Sequence, residues 1–338
     1  MRAVTLARHG PASVLRVSAV PDPSPGPDEV RVHIRAIGLN WAEVLSRKGL
    51  YTWAPPLPYV LGMEAYGEID AVGSGVGGRR VGEPVIVGAQ TGAYAEAVCV
   101  HESQARPALE GLSPEENAAF AVNYLTAWVA LFEMARLRPT DRVLVQAAAG
   151  GVGTAAVQLA KRFGCTVYGT AGSDAKVGAL VRLGVDRAVN YRARDFETEL
   201  RAASGGRGVD VVLELVGGEV FRKSLRLLAP FGRVVVAGFS SLDLRKWNPL
   251  SWWRTYRAIP RADVRAMAIA SQSVGATHIG YLLPQRERMT ALWAELTAFV
   301  IRHGIRPVVG SVFALDEIAG AHERLESREN VGKVVVRV

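Results

Sequence analysis

With 338 residues, of which 49% are hydrophobic and 21% charged, the chain is long enough to form two domains with separate cores. Its two cysteines, Cys99 and Cys165, are too few for a disulfide framework or a four-cysteine zinc site, and no apolar run reaches the ~18–20 residues that span a bilayer. The first residues, MRAVTLARHG, lack the apolar stretch of a signal peptide, so we expect a soluble, cytoplasmic protein.

Most of the net charge of +8 comes from arginine, and the arginines are scattered along the chain instead of forming a patch. A basic balance is a feature of many nucleic-acid-binding proteins, but those proteins concentrate the charge on one face. We therefore do not expect nucleic acid to be a partner. Part of the positive charge is expected to attract an anionic cofactor.

The first third of the chain predicts β structure. Branched and polar residues alternate over Val30–Leu39, and similar segments follow between Gly, Pro and Ser turns at 67–73, 80–88 and 93–100. From Ser113 the apolar spacing becomes helical: Ser113 suits an N-cap, Pro114 the first helical position, and acidic residues fill the first turn. One long helix is therefore predicted over 114–137.

Strands and helices alternate in the middle of the chain. Near-continuous apolar strands separated by helices are typical of a parallel sheet covered on both faces, so we expect a Rossmann-type doubly wound α/β domain beside the β-rich one. The predicted strands are 142–148, 165–172, 187–191, 209–217 and 232–239, and the predicted helices are 151–164, 174–184 and 221–228. The remaining chain predicts a strand at 276–282, a long helix at 289–304 and a closing strand at 331–338.

The most specific motif is the glycine-rich segment from Gln146 to Thr154, which lies where a predicted strand ends and a helix begins. This is the setting of the dinucleotide fingerprint, although an alanine takes the place of its first glycine. We expect Gly150 to take the tight turn, Gly151 to let the backbone approach a pyrophosphate, and Gly153 to let the helix pack against the strand. With Val152, they form the start of a helix whose free N–H groups face the anion.

The end of the second predicted strand indicates which dinucleotide binds. Enzymes that use NAD commonly carry an acidic residue there to hold the ribose 2′-hydroxyl. Here the sequence is Gly-Thr-Ala-Gly followed by Ser173, and small residues leave room for a 2′-phosphate that Ser173 and Lys176 would bind. The alternative is that Ser173 only caps a helix and Lys176 is a solvated charge. Asp174 argues against NADPH but also suits the first turn of a helix, and we predict NADPH.

These motifs resemble those of the medium-chain dehydrogenase/reductase superfamily, and the quinone oxidoreductase branch is the nearest broad match. Within that branch, the chain is similar to the synaptic-vesicle amine-transport-protein homologues and their bacterial relatives. The resemblance implies a GroES-like catalytic domain over residues 1–122 and 287–338 and an NADPH-binding Rossmann domain over 123–286. The segments that carry it include 38–40, 49–51, 62–64, 123–126, 147–161, 251–253, 305–307 and 330–334.

The resemblance also indicates that the catalytic zinc site of alcohol dehydrogenases is missing. Asn40 stands where the first zinc-ligating cysteine would be, Met63 replaces the histidine, and Val122 replaces the last ligand. Glu64 is retained, but one carboxylate does not make a zinc site. Without a Lewis acid, we expect a zinc-independent reductase that transfers hydride to a quinone or an α,β-unsaturated carbonyl compound, since the added charge can spread through a conjugated acceptor.

The resemblance places further residues at the site. Asn40 and Tyr51 are the candidate catalytic residues, and either could donate a hydrogen bond to an acceptor carbonyl, although a capping amide and a core aromatic are the structural alternatives. For cofactor binding, the resemblance adds Asn123, Thr126, Tyr191 and Asn330. Four further candidates lie at the carboxyl ends of predicted strands, where doubly wound sheets bind ligands, although Phe239 also suits the core: Gly217, Gly238, Phe239 and Ser240. No side chain is an obvious proton donor, so water could serve.

The segment 240–275 is longer than a simple connection and holds several tryptophans among arginines. It suits a hydrophobic lid over the substrate, a contact in the expected homodimer, or a peripheral membrane element.

The function of the protein as a whole has alternatives too. The first hypothesis is an enzyme that reduces small apolar conjugated acceptors, and the second is an NADPH-binding regulatory or membrane-associated protein with the same fold. RNA binding, as in relatives resembling zeta-crystallin, is the least favoured.

Overall fold

The computed structural model describes residues 1–240, 249–259 and 261–338. The described chain divides into two compact units, the first comprising Met1–Asn123 with Gly280–Val338 and the second comprising Tyr124–Ile279. The domain boundaries expected from the sequence lie at 122/123 and 286/287.

Strands dominate the amino-terminal part of the first unit. In chain order, its elements are β1 (Arg2–Leu6), β2 (Val17–Ala19), β3 (Glu29–Gly38), α1 (Trp41–Arg47), β4 (Tyr59–Val60), β5 (Glu64–Val72), β6 (Pro84–Gly88), β7 (Ala97–His101), β8 (Ala105–Pro107) and α2 (Pro114–Ala118). The helix α3 (Ala121–Trp128) and a π-helical turn (Val129–Met134) then lead into the second unit.

The second unit alternates between the two kinds of element. It holds β9 (Arg142–Val145), α4 (Gly151–Phe163), β10 (Thr166–Ala171), α5 (Asp174–Arg182), β11 (Arg187–Asn190), α6 (Phe196–Ala203), β12 (Val209–Glu214), α7 (Gly218–Leu227), β13 (Leu228–Val236), α8 (Pro249–Ala258), α9 (Val264–Ala270) and β14 (Ser273–Ala276). The chain returns to the first unit with α10 (Arg286–Arg302), β15 (Val309–Ala314), α11 (Ile318–Glu326) and β16 (Lys333–Arg337).

The first unit is built on a seven-stranded sheet in the order β15-β16-β3-β5-β6-β8, with β7 paired to β3. The long strand β3 is central because its alternating residues Val30, Val32 and Ile34 are fully buried, while the polar residues between them face outward. It pairs antiparallel with β5, β7 and β16, and this pairing brings the carboxy-terminal strand beside Gly38. The prediction of a β-rich domain is thereby confirmed.

The second unit contains a six-stranded parallel sheet in the order β11-β10-β9-β12-β13-β14. The residues of β9 from Val143 to Val145 are fully buried because helices cover the faces of the sheet, as the apolar runs predict. The strand order changes direction between β9 and β12, and ligands of doubly wound sheets bind at the carboxyl ends of the strands at such a point. The doubly wound prediction is confirmed.

The structure corrects two predicted elements. The helix predicted over 114–137 is divided, because α2 ends at Ala118 and α3 begins at Ala121. Its predicted start is confirmed, since Ser113 Oγ accepts the N–H of Glu116 at 3.2 Å. The strand predicted over 276–282 is wrong: β14 ends at Ala276, where its pairing with β13 stops, and Ile279–Leu282 forms a 3₁₀ turn. Among the elements that were not predicted are helices α1, α6, α8, α9 and α11 and strand β15.

The tryptophan-rich segment is described in part. Trp247 and the side chain of Trp252 lie outside the described residues. On α8, the side chains of Trp253 and Tyr256 are 54% and 61% exposed. In the part of the chain that the structure describes, every helix is too short or too polar to cross a membrane.

Candidate functional site

A tight turn joins β9 to α4 and leaves the start of the helix open to a ligand. Gly150 is the N-cap and has no side chain, so no side-chain cap bonds the first amide groups of α4, those of Gly151, Val152 and Gly153. A Cβ atom on Gly153 would lie 2.5 Å from the carbonyl oxygen of Ala147, so only glycine fits there. The left-handed residue of the turn is Ala147, with φ of 49°, whereas Gly150 has an ordinary φ of −78°. Gly150 closes the turn by donating its N–H to the Ala147 carbonyl at 2.9 Å, but the left-handed conformation falls on Ala147 and not on a glycine.

A buried polar network underlies this turn and was missed from the sequence. Gln146, the residue that follows β9, donates from Nε2 to Ser224 Oγ at 3.0 Å and accepts from Thr170 Oγ1 at 2.5 Å. Ser224 in turn donates to Glu214 Oε2 at 3.2 Å. All four side chains are at least 99% buried. The only sequence signal was that polar residues end otherwise apolar strands.

Glu214 connects this network to the turn after β12. Its Oε1 accepts the N–H of Val216 at 2.6 Å and that of Gly217 at 2.9 Å. Gly217, a predicted cofactor-binding residue, has φ of 84° and ψ of −165°, a conformation that only glycine adopts readily. Burial raises the pKa of Glu214, against the hydrogen bonds it accepts. The carboxyl group thus fixes the shape of the turn after β12, at the carboxyl ends of the strands, where doubly wound sheets bind ligands.

The turns after β12 and β13 lie side by side. Ser240 donates its N–H to the carbonyl of Leu215 at 3.0 Å, and a Cβ on Gly238 would lie 3.4 Å from the same oxygen. Phe239 between them is 44% exposed, so it is not a core residue. The structure therefore brings four of the predicted residues together at the carboxyl ends of β12 and β13: Gly217, Gly238, Phe239 and Ser240. Thr126 is buried on α3.

The end of β10 carries the residues predicted to recognise a 2′-phosphate. Ser173 caps α5, its Oγ accepting the N–H of Lys176 at 3.4 Å. The carboxylate of Asp174 accepts a hydrogen bond from Asn190 Nδ2 at 2.8 Å. The hydroxyl of Tyr191 lies 2.8 Å from the point where a Cβ on Gly172 would be. Tyr191 is therefore brought to the small residues of this turn.

Arg192 also borders this turn and was not predicted. Its Nε lies 3.5 Å from the position of a Cβ on Gly172. Its side chain is exposed, and its backbone N–H donates to Asn190 Oδ1 at 3.1 Å. The only indication in the sequence is weak: an arginine directly follows the tyrosine that closes the third strand of the doubly wound region. A guanidinium at this place suits a phosphate because it presents several donors in a fixed plane.

In the first unit, four side chains form a buried group that we call the Lys333 cluster: Asn40, Glu64, Asn123 and Lys333. The Lys333 ammonium donates to Glu64 Oε1, to Asn40 Oδ1 at 2.7 Å and to Asn123 Oδ1 at 3.4 Å. The exposed fraction of the Lys333 side chain is 2% and that of Glu64 is 0%. The other carboxylate oxygen of Glu64 accepts the N–H of Val122 at 2.9 Å.

The amide of Asn40 is held at both ends within this cluster. Its Nδ2 donates to the Gly38 carbonyl at 3.2 Å and to Glu64 Oε1 at 3.1 Å, while its oxygen accepts from Lys333. Both amide hydrogens are thus already donated, so a hydrogen bond from Asn40 to an acceptor needs one of these bonds to be replaced. Across the described residues, no group of three or more His, Cys, Asp or Glu side chains is arranged to hold a metal ion.

Asn330, another predicted cofactor-binding residue, serves the turn that leads into β16. Its Nδ2 donates to the carbonyl of Gly332 and its Oδ1 accepts from Ser311 Oγ at 3.0 Å. Gly332 has φ of 75° and leads directly to Lys333. Asn330 therefore shapes the backbone that presents the lysine. Asn330 and Asn123 belong to the first unit, whereas the remaining predicted cofactor-binding residues belong to the second.

A second buried group, the Glu43 cluster, consists of Glu43, Tyr94 and His322. Tyr94 lies between Glu43 Oε2, at 2.6 Å, and His322 Nε2, at 3.1 Å. Glu43 also accepts the N–H groups of Asn40 and Met63, both at 2.7 Å. Burial raises the pKa of Glu43 to about 7 and lowers that of His322 to about 3. No pattern in the sequence indicates this cluster.

Tyr51, the second candidate catalytic residue, lies in the turn that follows α1. Its side chain is partly buried, which raises the pKa of the phenol, and the side chain of Gln90 bonds it. Gln90 Nε2 also donates to the carbonyl of Trp53 at 3.2 Å. The indole of Trp53 packs edge-on against Tyr281, with 4.2 Å between ring centroids. Trp53, which packs against Tyr281, lies two residues after Tyr51 in the sequence, and Gln90 bonds both Trp53 and Tyr51.

Comparisons with known proteins agree with this arrangement. Residues 26–110 match the alcohol dehydrogenase GroES-like domain family, and residues 151–260 match the zinc-binding dehydrogenase family. The chain is 37% identical to the Synaptic vesicle membrane protein VAT-1 homolog of Mus musculus over 94% of this chain and 78% of that protein. It is 31% identical to the quinone oxidoreductase of Rattus norvegicus, over 99% of this chain and 97% of that protein.

Among solved structures, the chain is similar to the quinone oxidoreductase of Escherichia coli complexed with NADPH. The two superpose with a TM-score of 0.89 at 29% identity, over 100% of both chains.

Proposed function

Because the chain belongs to the medium-chain dehydrogenase/reductase superfamily, in its quinone oxidoreductase branch, we propose that it is a zinc-independent, NADPH-dependent reductase of quinones or α,β-unsaturated carbonyl compounds. The observation that carries the proposal is the Lys333 cluster. Asn40 and Glu64 lie at or beside the positions that resemble the zinc-ligand positions of alcohol dehydrogenases, and here they surround a buried ammonium group. A cation bound to protein oxygens at this place favours a reaction that needs no metal.

The turn between β9 and α4 supports dinucleotide binding. Its helix start lacks a side-chain cap and lies at the sheet edge where doubly wound folds bind ligands, and Gly153 brings helix and strand together. Ser173, Lys176, Tyr191 and Arg192 support a 2′-phosphate, whereas the nearby acid, Asp174, is bonded by Asn190. NADPH is therefore the proposed cofactor.

The chemistry follows from the acceptor. Bound NADPH supplies a hydride. In an enone the hydride adds to the β-carbon, the C=C electron pair moves toward the carbonyl, and the charge collects on the carbonyl oxygen as an enolate. A proton from water then completes the saturated ketone. The protein contributes by donating hydrogen bonds to that oxygen, and Asn40 and Tyr51 are the proposed donors.

A second candidate function keeps the fold and the cofactor but makes the protein a regulatory or membrane-associated NADPH binder. It is favoured by the exposed Trp253 and Tyr256 on α8 and by similarity to relatives that are named as vesicle membrane proteins. Homodimer formation and peripheral membrane contact belong to this proposal as well. It differs from the enzyme in one respect that can be measured, turnover.

The decisive test is an assay of NADPH oxidation with a panel of quinones and enones, with NADH run in parallel. The reductase proposal expects turnover of at least one class of conjugated acceptor and preference for NADPH. If the folded protein binds NADPH but turns over none of the panel, the binder replaces the enzyme. If it binds neither cofactor, both proposals fail.

A further inference from the structure

We propose that Lys333 is a positioning residue for this reaction: its ammonium orients and polarises the Asn40 amide so that an Asn40 N–H can bind the carbonyl oxygen of the acceptor. The inference rests on the proposed reductase function. It assigns to the Lys333 ammonium the positive charge that a zinc ion supplies in alcohol dehydrogenases. Lys333 itself does not contact the acceptor.

Electrostatics fixes the orientation of the Asn40 amide. Its oxygen faces the Lys333 ammonium at 2.7 Å and its nitrogen faces the Glu64 carboxylate at 3.1 Å. Turning the amide over would set oxygen against the carboxylate and N–H against the ammonium, so the reversed state is strongly disfavoured. Both bonds involve an ionised partner and are stronger than neutral ones. The amide dipole is thus aligned between two opposite charges.

This alignment also strengthens the remaining donor of Asn40. Hydrogen bonds in a chain polarise one another, so a cation at the amide oxygen makes the N–H groups better donors. The bond from Nδ2 to the neutral Gly38 carbonyl is the longest that Asn40 makes, at 3.2 Å. It is therefore the bond that a carbonyl oxygen gaining negative charge would replace most readily, and the donor would be in place before the reaction begins.

The backbone around the cluster has no room for a side chain on Gly38. A Cβ there would lie 2.9 Å from Lys333 Cε and 3.0 Å from Glu64 Cγ, besides meeting the carbonyl of Ala118. The absence of a side chain lets the two charged residues meet directly beside Asn40. Leu39 donates its N–H to the carbonyl of Val334 at 3.0 Å, which fixes β16 against the residue that precedes Asn40.

Stability alone does not explain the buried pair. Removing two charges from water is costly, and well-packed apolar residues of similar size often stabilise a protein as well or better. A buried pair is accordingly better explained when it serves specificity or chemistry. In this cluster the charges act on an amide that the reductase proposal already assigns to the acceptor.

The test replaces Lys333 in a background where Glu64 is not left as an unpaired buried charge. The variant Lys333→Met/Glu64→Gln is compared with Lys333→Arg, which keeps a cation. Arg142→Met is the matched control, since it breaks a half-buried ion pair with Asp210 at the opposite end of β9 from the glycine turn. NADPH affinity is measured by calorimetry and folding by thermal melting.

For the wild type and Lys333→Arg, we expect turnover with 2-cyclohexenone and a downward shift of the carbonyl stretching frequency when carbonyl-labelled 2-cyclohexenone binds to the NADP⁺ complex. The double variant should lose about 10- to 100-fold in kcat, somewhat less than the ~10²–10³-fold cost of deleting an oxyanion donor, together with most of the frequency shift. Its NADPH affinity should stay within about twofold. Arg142→Met should keep the frequency shift.

A folded double variant with wild-type kcat and an unchanged carbonyl shift would overturn the role of Lys333. Equal loss in the Arg142→Met control would also overturn it, because the effect would then be one of general stability. Failure of the proposed function is distinguishable: the wild type itself would turn over no acceptor. In that case the role of Lys333 is judged from the carbonyl frequency shift alone. A wild type that shows no shift would overturn the positioning role as well.

Discussion

Tyr94 and Glu43 make a hydrogen bond of 2.6 Å in the core of the first unit, where the exposed fraction of both residues is 0%. The carboxyl group has no cation in direct contact in the described part of the chain, and its other partners are the backbone N–H groups of Asn40 and Met63. Only dipoles contact the carboxylate directly, and the Lys333 ammonium stabilises its charge from a distance. Burial dominates, and the pKa of Glu43 rises from 4.5 to about 7.

Glu43→Gln should make folding less sensitive to a rise in pH from 4.5 to about 7. A carboxyl group with a raised pKa binds its proton more tightly in the folded state, so the free energy of unfolding falls as pH rises from 4.5 to about 7. The shift corresponds to about 3 kcal/mol. Urea unfolding at several pH values should show the variant gaining that amount on the wild type between pH 4.5 and about 8.

The control for this prediction is His322→Gln. Burial lowers the pKa of His322 from 6.5 to about 3, so its contribution has the opposite sign: stability is lost as pH falls below 6.5. The His322 variant should therefore gain on the wild type in acid and not in alkali. Parallel pH profiles for all three proteins would contradict the account of the Glu43 cluster.

Lys176→Ala and Arg192→Ala should each weaken NADPH binding by about 1–3 kcal/mol, the range for losing a hydrogen bond to a charged group. NADH has no 2′-phosphate, so its affinity should hardly change. The wild type is expected to bind NADPH at least about tenfold more tightly than NADH. Calorimetric titration of both cofactors measures all of these values, and Arg182→Ala, an exposed cation at the other end of α5, is the matched control. Equal affinity of the wild type for the two cofactors would remove the argument.

The sequence predicted the doubly wound unit well because its signals are local. The glycine turn and the apolar strands each depend on residues within a few positions of one another, and α4 begins at Gly151 as expected. The cap at Ser113 in the first unit is a local signal of the same kind. Even there, the left-handed residue of the turn could not be identified, because a backbone that places Ala147 at φ of 49° depends on packing with the neighbouring strands.

The polar clusters could not be predicted because their members are distant in the chain. Lys333 and Glu64 are separated by 269 residues, and Tyr94 and His322 by 228. No periodicity connects such positions. The sequence identified Asn40 as a site residue by resemblance, but which partners its amide has, and therefore how it could act, emerges only when β16 pairs with β3.

Activity is expected to be independent of zinc. The Lys333 ammonium already binds the oxygens of Asn40 and Glu64, and Met63 and Val122 are poor zinc ligands. Elemental analysis of protein purified without chelators should find no stoichiometric zinc, and treatment with EDTA should leave turnover with 2-cyclohexenone unchanged. Stoichiometric zinc in active protein, lost together with activity on chelation, would refute this expectation.

The exposed aromatic residues of α8 separate the alternatives for the tryptophan-rich segment. If the segment covers the acceptor, Trp253→Ala/Tyr256→Ala should raise KM for bulky apolar acceptors much more than for small ones, with NADPH affinity unchanged. If it binds membranes, the same variant should keep its kinetics and lose co-sedimentation with anionic liposomes, a binding that salt weakens. Dissociation on size exclusion would instead indicate a dimer contact. We expect the first result, and a folded variant with unchanged kinetics across an acceptor size series would exclude it.

Ser224→Ala should weaken both cofactors equally, in contrast to the variants at the 2′-phosphate. Ser224 accepts from Gln146 and donates to Glu214, the group that holds the N–H groups of Val216 and Gly217. Without the hydroxyl, the buried amide of Gln146 loses an acceptor, which costs about 1–3 kcal/mol of stability. The turns after β9 and β12 should then loosen together, because the network joins the two strands beneath them.

Calorimetry should show that NADPH and NADH both bind more weakly by the same factor, and Ser224→Thr, which restores a hydroxyl, should recover part of the lost affinity. A loss confined to NADPH would show that the network acts elsewhere, at the 2′-phosphate and not at the shared part of the dinucleotide.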